Sequence, residues 1–210
     1  MKYAVILAIL VTTASAQMVH KVPFASSGNT LELAIENSAT LAAQNVTVEA
    51  ATVPQWIHLE SRNIAVGPIP GKQEAVASFK FSVDKSAPVQ KEEAISFAVV
   101  SESGQRWTKE IRVSVAPPAE FSLFQNYPNP FNPTTTVGFQ LAAESKVRLS
   151  VYDLLGREIA VVTEDIKKAG YHEETLNGSS WSSGMYIVRL IAQRQNGSDY
   201  VAQKVMTVVK

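Results

Sequence analysis

The stretch FQNYPNPFNPTTTVGFQL, residues 124–141, places three prolines directly before an alternating apolar pattern. Val137, Phe139 and Leu141 alternate with smaller or polar residues, and this period of two indicates a β-strand with one buried face. Proline fixes φ, has no amide hydrogen and disfavours helix in the residue before it. The stretch therefore predicts a stiff, extended lead-in to a strand that begins at Thr134, and such a lead-in protects a sheet edge from chance pairing.

The same period of two recurs throughout the region from residue 29 to residue 116. Clear examples are LELAIE at residues 31–36, AVASFKFSVD at 75–84 and KEIRVSV at 109–115. Turn signals rich in Gly, Pro, Asn and Ser separate these segments. About six or seven short strands with such spacing are typical of an immunoglobulin-like β-sandwich.

A proline pair in APPAE, residues 116–120, interrupts the strand pattern before it resumes with about seven further strands. The sequence therefore predicts an all-β chain with two immunoglobulin-like β-sandwich domains in tandem after a signal peptide. The predicted divisions are a signal peptide over 1–16, a cargo domain over 17–116, a Pro-rich linker over 117–125 and a C-terminal domain over 126–210.

Composition excludes several classes of protein. Lys plus Arg and Asp plus Glu each number 19, so the formal net charge is zero and the basic footprint of a nucleic-acid-binding protein is absent. There is no cysteine, which excludes disulfides, thiolate metal sites and a cysteine nucleophile. Hydrophobic residues make up 46% of the chain, enough to form packed cores.

The N-terminus has the organisation of an export signal. Lys2 precedes the apolar run at residues 3–11, and Ala14 and Ala16 form an A-x-A cleavage pattern, so we expect Gln17 to be the first mature residue. The apolar run is too short for a stable membrane anchor, and no later segment is apolar enough to span a bilayer. We therefore expect no transmembrane segment in the mature chain.

Four motifs follow one another in the C-terminal region: YPNPFNPTT at 127–135, VYDLLGREI at 151–159, GMYIVRL at 184–190 and QKVMTVVK at 203–210. Together they resemble the type A C-terminal sorting domain of the type IX secretion system, and they are similar to the immunoglobulin-like domain of flagellar hook-capping proteins. The positions that carry the resemblance are Tyr127, Pro128, Asn129, Pro130, Phe131, Asn132, Gly184, Tyr186, Val188, Leu190, Lys204, Val205, Val208, Val209 and Lys210.

The resemblance implies a role in export. Domains of this family are read in the periplasm, carry their cargo across the outer membrane and are usually clipped off at the cell surface. The implied partners are the type IX translocon and its sorting peptidase, and the cargo is either released or attached to lipopolysaccharide. Since an exposed Pro-rich linker makes few contacts, we expect the clip between Pro117 and Gln125.

Two of the motifs, GMYIVRL and QKVMTVVK, fall on predicted strands, and their residues serve either the fold or recognition. Tyr186, Val188 and Leu190 have the strand period and are expected to lie in the core. The terminal strand either closes its sheet or offers its edge or its carboxylate to a translocon subunit, as in β-strand addition and carboxylate capture.

No constellation of catalytic residues is visible. His20, His58 and His172 do not stand at metal-ligand spacing, and no HExxH motif occurs. The Ser-rich loop at residues 179–184 lacks the GxSxG pattern of a nucleophile elbow. We therefore predict no catalytic residue, no metal and no cofactor.

The tryptophans bear on a possible carbohydrate site. Trp107 shares a strand face with Ile111, so we expect it in the core, whereas the sequence leaves Trp56 open between core and surface. A carbohydrate-binding module would need Trp56 exposed on one face with Tyr127 or Trp181.

Residues 29–59 weakly resemble the immunoglobulin-like accessory modules of secreted bacterial proteins, which implies a spacer or binding module. The sequence thus predicts an exported bacterial protein with a non-enzymatic binding, adhesion or structural cargo domain, found at the cell surface or in the medium. The alternatives are a secreted carbohydrate-binding accessory module, a hook-cap-like assembly protein, or an enzyme if two titratable groups converge in a pocket.

Overall fold

The computed structural model describes residues 18–194 and 198–210, and these form two compact units that divide between Ala116 and Pro117. The predicted signal peptide, with its cleavage residues Ala14, Ala16 and Gln17, lies outside the described residues. Within the described residues every regular element is a strand, so the all-β prediction is confirmed. No described segment forms a helix long and apolar enough to cross a membrane.

The described part of the N-terminal unit, residues 18–116, contains eight strands. They are β1 (Val19–Val22), β2 (Asn29–Glu36), β3 (Ala43–Thr52), β4 (Ile57–Leu59), β5 (Asn63–Ile69), β6 (Glu74–Val83), β7 (Glu92–Val100) and β8 (Arg106–Val115). One sheet has the order β1-β8-β7-β3-β5 and the other has the order β2-β6-β4. Among these strands, β1 pairs in parallel with the second half of β8, and the other strand pairings are antiparallel.

Alternation along the strands builds the core of this unit. On β6, Ala77, Phe79, Phe81 and Val83 point inward and are buried, whereas the residues between them face away. The ring centroids of Phe79 and Phe97 lie 5.1 Å apart, which joins the two sheets at the centre of the core. Apolar side chains with a period of two must share one face of a strand, which is why the pattern predicted these positions.

In residues 117–194 and 198–210, the C-terminal unit has seven strands. They are β9 (Ser122–Leu123), β10 (Thr134–Leu141), β11 (Ser145–Tyr152), β12 (Glu158–Lys167), β13 (Gly170–Asn177), β14 (Gly184–Arg194) and β15 (Tyr200–Val208). The sheets have the orders β13-β10-β9 and β12-β11-β14-β15, and together they enclose a second core that includes Phe131, Phe139 and Leu190. Whether both units are of the immunoglobulin type stays a prediction.

The chain enters the C-terminal unit earlier than the predicted linker allows. β9 lies within the range 117–125 and pairs with β10, and Leu123 is buried in the core. The ring of Phe121 stacks on that of Tyr200 at 5.6 Å between centroids. The apolar residues of this short segment therefore attach it to the sheet, and before β9 residues 117–121 lie outside every strand.

The proline-rich lead-in is a folded loop and not the extended segment predicted. The chain bends at residues 128–130 and 132–133, and the peptide bonds before Pro128, Pro130 and Pro133 are cis. Hydrogen bonds hold this loop in place, and they connect it to the predicted terminal motif.

Candidate functional site

The proline loop, residues 125–133, crosses one edge of the C-terminal unit and joins its two sheets. Tyr127 and Thr136 exchange backbone hydrogen bonds of 2.9 and 3.0 Å, which attach the loop to β10. The Phe131 N–H donates to the Thr207 carbonyl at 2.9 Å, and the Val209 N–H donates to the Phe131 carbonyl at 3.0 Å. The loop is thus a hydrogen-bonding partner of β15. The sequence pattern gave no indication of this pairing.

Side chains of the loop complete the cover over β15. The Asn129 side-chain oxygen accepts from the Thr207 N–H at 2.8 Å, and Gln125 Nε2 donates to the Val205 carbonyl at 2.8 Å. On its other side β15 pairs with β14 along its whole length. The edge of β15 from Val205 to Val209 is therefore occupied, and in this state it is not open for strand addition there.

A buried polar group fixes the bend of the loop. Asn126 is 2% exposed, and its Nδ2 donates to the Pro128 carbonyl and to Thr135 Oγ1, both at 2.9 Å. Thr135 Oγ1 in turn donates to the same carbonyl at 2.7 Å. Since buried polar atoms that lack partners are costly, this closed set of bonds specifies one loop conformation.

An aromatic cluster links the loop to the third motif. Phe131 is 1% exposed and meets Trp181 edge-on at 6.3 Å between centroids, and Trp181 lies 5.2 Å from Tyr186. The Tyr186 hydroxyl donates to the Ser182 carbonyl at 2.9 Å. A Cβ on Gly178 would lie 3.0 Å from the Phe131 ring and 3.1 Å from the Trp181 ring, so glycine leaves room for both.

The structure therefore brings three of the four motifs together. Tyr186, Val188 and Leu190 are buried, as their period predicted, and Gly184 opens β14 opposite Val208. Other predicted sorting residues remain at the surface: Tyr127, Pro128, Asn129, Pro130, Asn132, Lys204, Val205, Val209 and Lys210. Tyr127 has the largest exposed apolar surface of these, with 83% of the residue accessible.

The remaining motif, VYDLLGREI, builds a turn. The Asp153 side-chain oxygen Oδ1 accepts from the Leu155 and Arg157 N–H groups, and Oδ2 pairs with Arg157 Nε at 2.7 Å. Partial burial opposes ionisation of Asp153, but the hydrogen bonds from Arg157 outweigh it, so the pKa of this carboxyl lies below its ordinary value. Gly156 adopts φ +81°, which the turn requires and glycine accepts without strain.

An ion-pair network lies beside this turn on β11 and β12. Arg148 bonds both Glu158 and Glu164, and its Nη2 lies 3.0 Å from Glu158 Oε1. The hydrogen bond from Arg148, and then that from Tyr152, lowers the pKa of Glu158. These groups are at the surface and hold two strands together, so they serve as structural contacts.

The histidines do not form a site. His58 Nε2 lies 3.6 Å from Asp84 Oδ2, and the pKa of Asp84 is lowered first by the backbone hydrogen bond from Ser86. His172 Nε2 bonds the Lys168 carbonyl at 2.8 Å. Across residues 18–194 and 198–210, no group of three or more His, Asp or Glu side chains could hold a metal ion.

A separate cleft of about 570 Å³ lies at one end of the N-terminal unit. Its floor is apolar and belongs to the core: Ile35, Val46, Ile69 and Val99. Ligand pockets commonly have volumes of about 300–1,000 Å³ and combine apolar walls with a few polar groups. The size and lining of this cleft fall within that class.

One wall of the cleft is the loop between β2 and β3. Asn37 Nδ2 donates to the Leu41 and Ile69 carbonyls at 2.8 and 2.9 Å, and its Oδ1 accepts from the Ala39 N–H. Lys72 supports the same loop, since its N–H donates to the Asn37 carbonyl at 2.8 Å. Leu41 at the tip is 80% exposed.

The other wall is the hairpin between β7 and β8, which ends in Trp107. The Glu102 N–H donates to the Gln44 carbonyl at 3.1 Å, which joins this hairpin to the beginning of β3. Trp107 lines the cleft and is 49% exposed, so the prediction that it packs in the core is wrong. The strand extends beyond the core at this point, so that a residue in register with Ile111 has no opposing core side chain.

Trp56 is 6% exposed and its Nε1 donates to Glu93 Oε2 at 3.1 Å. The exposed aromatic face that a carbohydrate module would need, with Trp56 beside Tyr127 or Trp181, is therefore absent. Sequence reasoning missed the cleft. The one feature of the sequence that points to the cleft is Trp107, which closely follows the Ser103-Gly104 turn. A residue so near a turn lies at the end of its strand, where the strand extends beyond the core.

Comparison with known families decides the identity of the second unit. Residues 125–206 match the family described as the secretion system C-terminal sorting domain. This segment is a type IX sorting domain. The sorting domain indicates export across the outer membrane directed by the type IX secretion system, to the cell surface or the medium. It also implies interaction with the machinery of that system.

The solved structures that match this chain are distant from it, and no curated protein sequence matches the chain. Latent PorU from Porphyromonas gingivalis is 12% identical with a TM-score of 0.34, and the match covers 94% of this chain but 19% of PorU. A protein of unknown function from Porphyromonas gingivalis W83 is 14% identical with a TM-score of 0.33, covering 90% and 92%. The CupB2 chaperone of Pseudomonas aeruginosa is 10% identical with a TM-score of 0.31, covering 89% and 96%.

Proposed function

We propose that this protein is a type IX cargo in which the sorting domain delivers a non-enzymatic binding module to the cell surface or the medium. The observation that carries the proposal is the convergence of the proline loop, the aromatic cluster and β15 into one hydrogen-bonded end of the sorting domain. Recognition by the translocon takes place at this end, because it presents the exposed motif residues on a rigid support.

Tyr127 is the residue most suited to direct recognition. It is 83% exposed, and its side chain makes no hydrogen bond within the described part of the chain, while its backbone is fixed by Thr136. An exposed aromatic on a rigid backbone is the kind of side chain that dominates protein interfaces.

The sorting peptidase cuts between Ala119 and Phe121. Ala119 and Glu120 are exposed and lie outside every strand, whereas Ser122 and Leu123 are already paired in β9. A peptidase requires an extended and accessible backbone, so sheet pairing excludes the later part of the linker. After the cut, the N-terminal unit is either released or attached to lipopolysaccharide.

The N-terminal unit acts as the binding module through its cleft. The cleft is apolar at its floor, and the exposed Leu41 and Trp107 stand on its two walls. A large exposed apolar side chain beside a cavity is a more specific signal of binding than exposed apolar residues scattered singly. The polar lining supplies no paired His and carboxylate for acid–base chemistry.

The proposed recognition is tested with two matched variants of the full chain, expressed in a bacterium that has a working type IX system. Tyr127→Ala should reduce the extracellular amount severalfold and leave the precursor in the periplasm. Ile166→Ala, which removes a side chain that is 65% exposed in the same unit and outside the four motifs, should be exported normally. Equal export of both variants, with equal thermal stability, would show that Tyr127 takes no part in recognition.

A further inference from the structure

The cleft of the N-terminal unit lies beside an edge of β8 that another strand only half covers. β1 pairs with β8 from Arg112 to Val115, and within the described residues no strand lies on that side of Thr108. Edge strands with uncovered backbone groups are natural templates for pairing with another chain.

Hydrogen bonds at the end of β8 establish which backbone groups point outward. The Ala116 N–H donates to the Val22 carbonyl in β1, and the Val115 carbonyl accepts from Gln90 on the β7 side. The N–H and C=O groups of successive residues point to opposite sides of a strand. Thr108 lies an even number of residues before Ala116, so its N–H and C=O also point away from β7. The Gln105 carbonyl accepts from Ser101 on the β7 side, which confirms the alternation at the other end.

Side chains beside Thr108 supply an apolar contact. Trp107 stands on the cleft wall at the adjacent position, and Leu41 faces the same cavity from the opposite wall. The charged residues in the lining are two carboxylates, Glu36 and Glu102. A ligand that carries apolar groups and positive charge therefore complements the lining.

We propose that the cleft binds an extended peptide segment, which adds as a strand to the β8 edge at Thr108 and places an apolar side chain between Leu41 and Trp107. The inference rests on the proposed role of this unit as a binding module and names its ligand. An extended peptide fits because the outward N–H and C=O of Thr108 offer a donor and an acceptor to a partner backbone, and pockets for alternate side chains then give specificity. The favoured sequences have apolar residues at alternate positions, which face the cleft, and a Lys or Arg at a further position of that same face, where it meets Glu36 or Glu102.

The probe is a phage library of random peptides, selected on the full mature chain, and the selected peptides are then synthesised. Their affinities are measured by calorimetry for the wild type and three variants. Trp107→Ala should weaken binding by about tenfold or more, because it removes the aromatic wall. Thr108→Pro should weaken binding by about tenfold or more, since it removes the outward N–H, whereas Thr108→Ala keeps that group and should bind like the wild type.

Proline is tolerated on an edge strand where its missing N–H would face solvent, so Thr108→Pro should retain the fold, as circular dichroism can verify. Hydrogen exchange on the wild type gives a second readout that needs no variant. Addition of a selected peptide should slow exchange of the Thr108 amide and leave that of Val76, on β6, unchanged. Peptides that bind Thr108→Pro as tightly as Thr108→Ala, with no protection at Thr108, would overturn the inference, and so would a library that yields no binder.

A neutral solvatochromic dye, Nile red, separates failure of this inference from failure of the binding-module proposal. If Nile red binds the wild type and loses affinity in Trp107→Ala while no peptide binds, the cleft is a binding site for apolar small molecules and the peptide inference is wrong. If neither dye nor peptide binds, the binding-module proposal fails together with it.

Discussion

Asn129 and Thr207 lie 78 positions apart in the sequence, and the Thr207 N–H donates to the Asn129 side-chain oxygen at 2.8 Å. This bond joins the proline loop to the terminal strand, so two motifs of the sorting domain form one structural unit. A change in the proline loop should therefore be detected at β15.

Asn129→Ala should expose the edge of β15. Loss of this hydrogen bond should lower the free energy of unfolding of the sorting domain by about 0.5–1.5 kcal/mol, and should speed hydrogen exchange at Thr207. The matched control is Asn132→Ala, which also replaces an exposed asparagine before a proline. Equal exchange at Thr207 in the two variants would mean that the side chain of Asn129 does not hold the strand.

Phe131→Ala should destabilise the sorting domain selectively. Phe131 is 1% exposed and packs in the core beside Trp181, and large-to-small changes of buried aromatic residues cost about 3–5 kcal/mol. Because each unit has its own core, we expect the unfolding transition of the C-terminal unit to fall in calorimetry while that of the N-terminal unit is retained. A parallel loss of both transitions would contradict this separation.

Acid should weaken the pairing of β11 with β12 through Glu158. The Arg148 hydrogen bond holds the folded-state pKa of Glu158 below its ordinary value of 4.5. A lowered pKa gives stability that is present above the unfolded-state pKa and is lost as the pH falls through the folded-state value.

The free energy of unfolding of the wild-type sorting domain should therefore decline more steeply below pH 4.5 than that of Arg148→Gln, which lacks the interaction. Urea unfolding at a series of pH values measures this difference. Added salt should reduce it, because the groups lie at the surface. Parallel pH profiles for the two proteins would exclude the ion pair as a source of stability.

Gly71→Ala should displace the wall of the cleft. A Cβ at Gly71 would lie 2.2 Å from the Thr40 carbonyl oxygen, which belongs to the loop that carries Leu41. Because the clash is with backbone, the loop must move, at a cost of about 1–3 kcal/mol. Amide chemical shifts from Ser38 to Leu41 measure the movement.

Gly67→Ala is the control for Gly71→Ala. Gly67 has φ +86°, but an added Cβ there would meet no atom within 4 Å. Alanine at this position should cost stability through its backbone conformation and leave the chemical shifts of the loop unchanged. If both variants alter the loop equally, the contact between Gly71 and Thr40 does not position it.

Sequence periodicity predicted most of the fold because a strand that is buried on one face must alternate. Phe79 and Leu190 are buried where the pattern places them. Trp107 shows the limit of this reasoning, since the pattern gives the face of a strand but not the point at which the core ends. The proline loop shows a second limit, because the bonds from Asn129 and Phe131 to β15 connect distant segments and leave no local signal.

The central claim, that the sorting domain delivers the N-terminal unit by type IX export, is tested most directly by terminal-peptide mass spectrometry. The full chain is expressed in a type IX-competent bacterium and in a matched strain that lacks the translocon. We predict an extracellular product that ends between Ala119 and Phe121 and contains no later peptides, and intact protein in the periplasm of the deficient strain. Extracellular protein that retains β15, or equal release by both strains, would contradict the account.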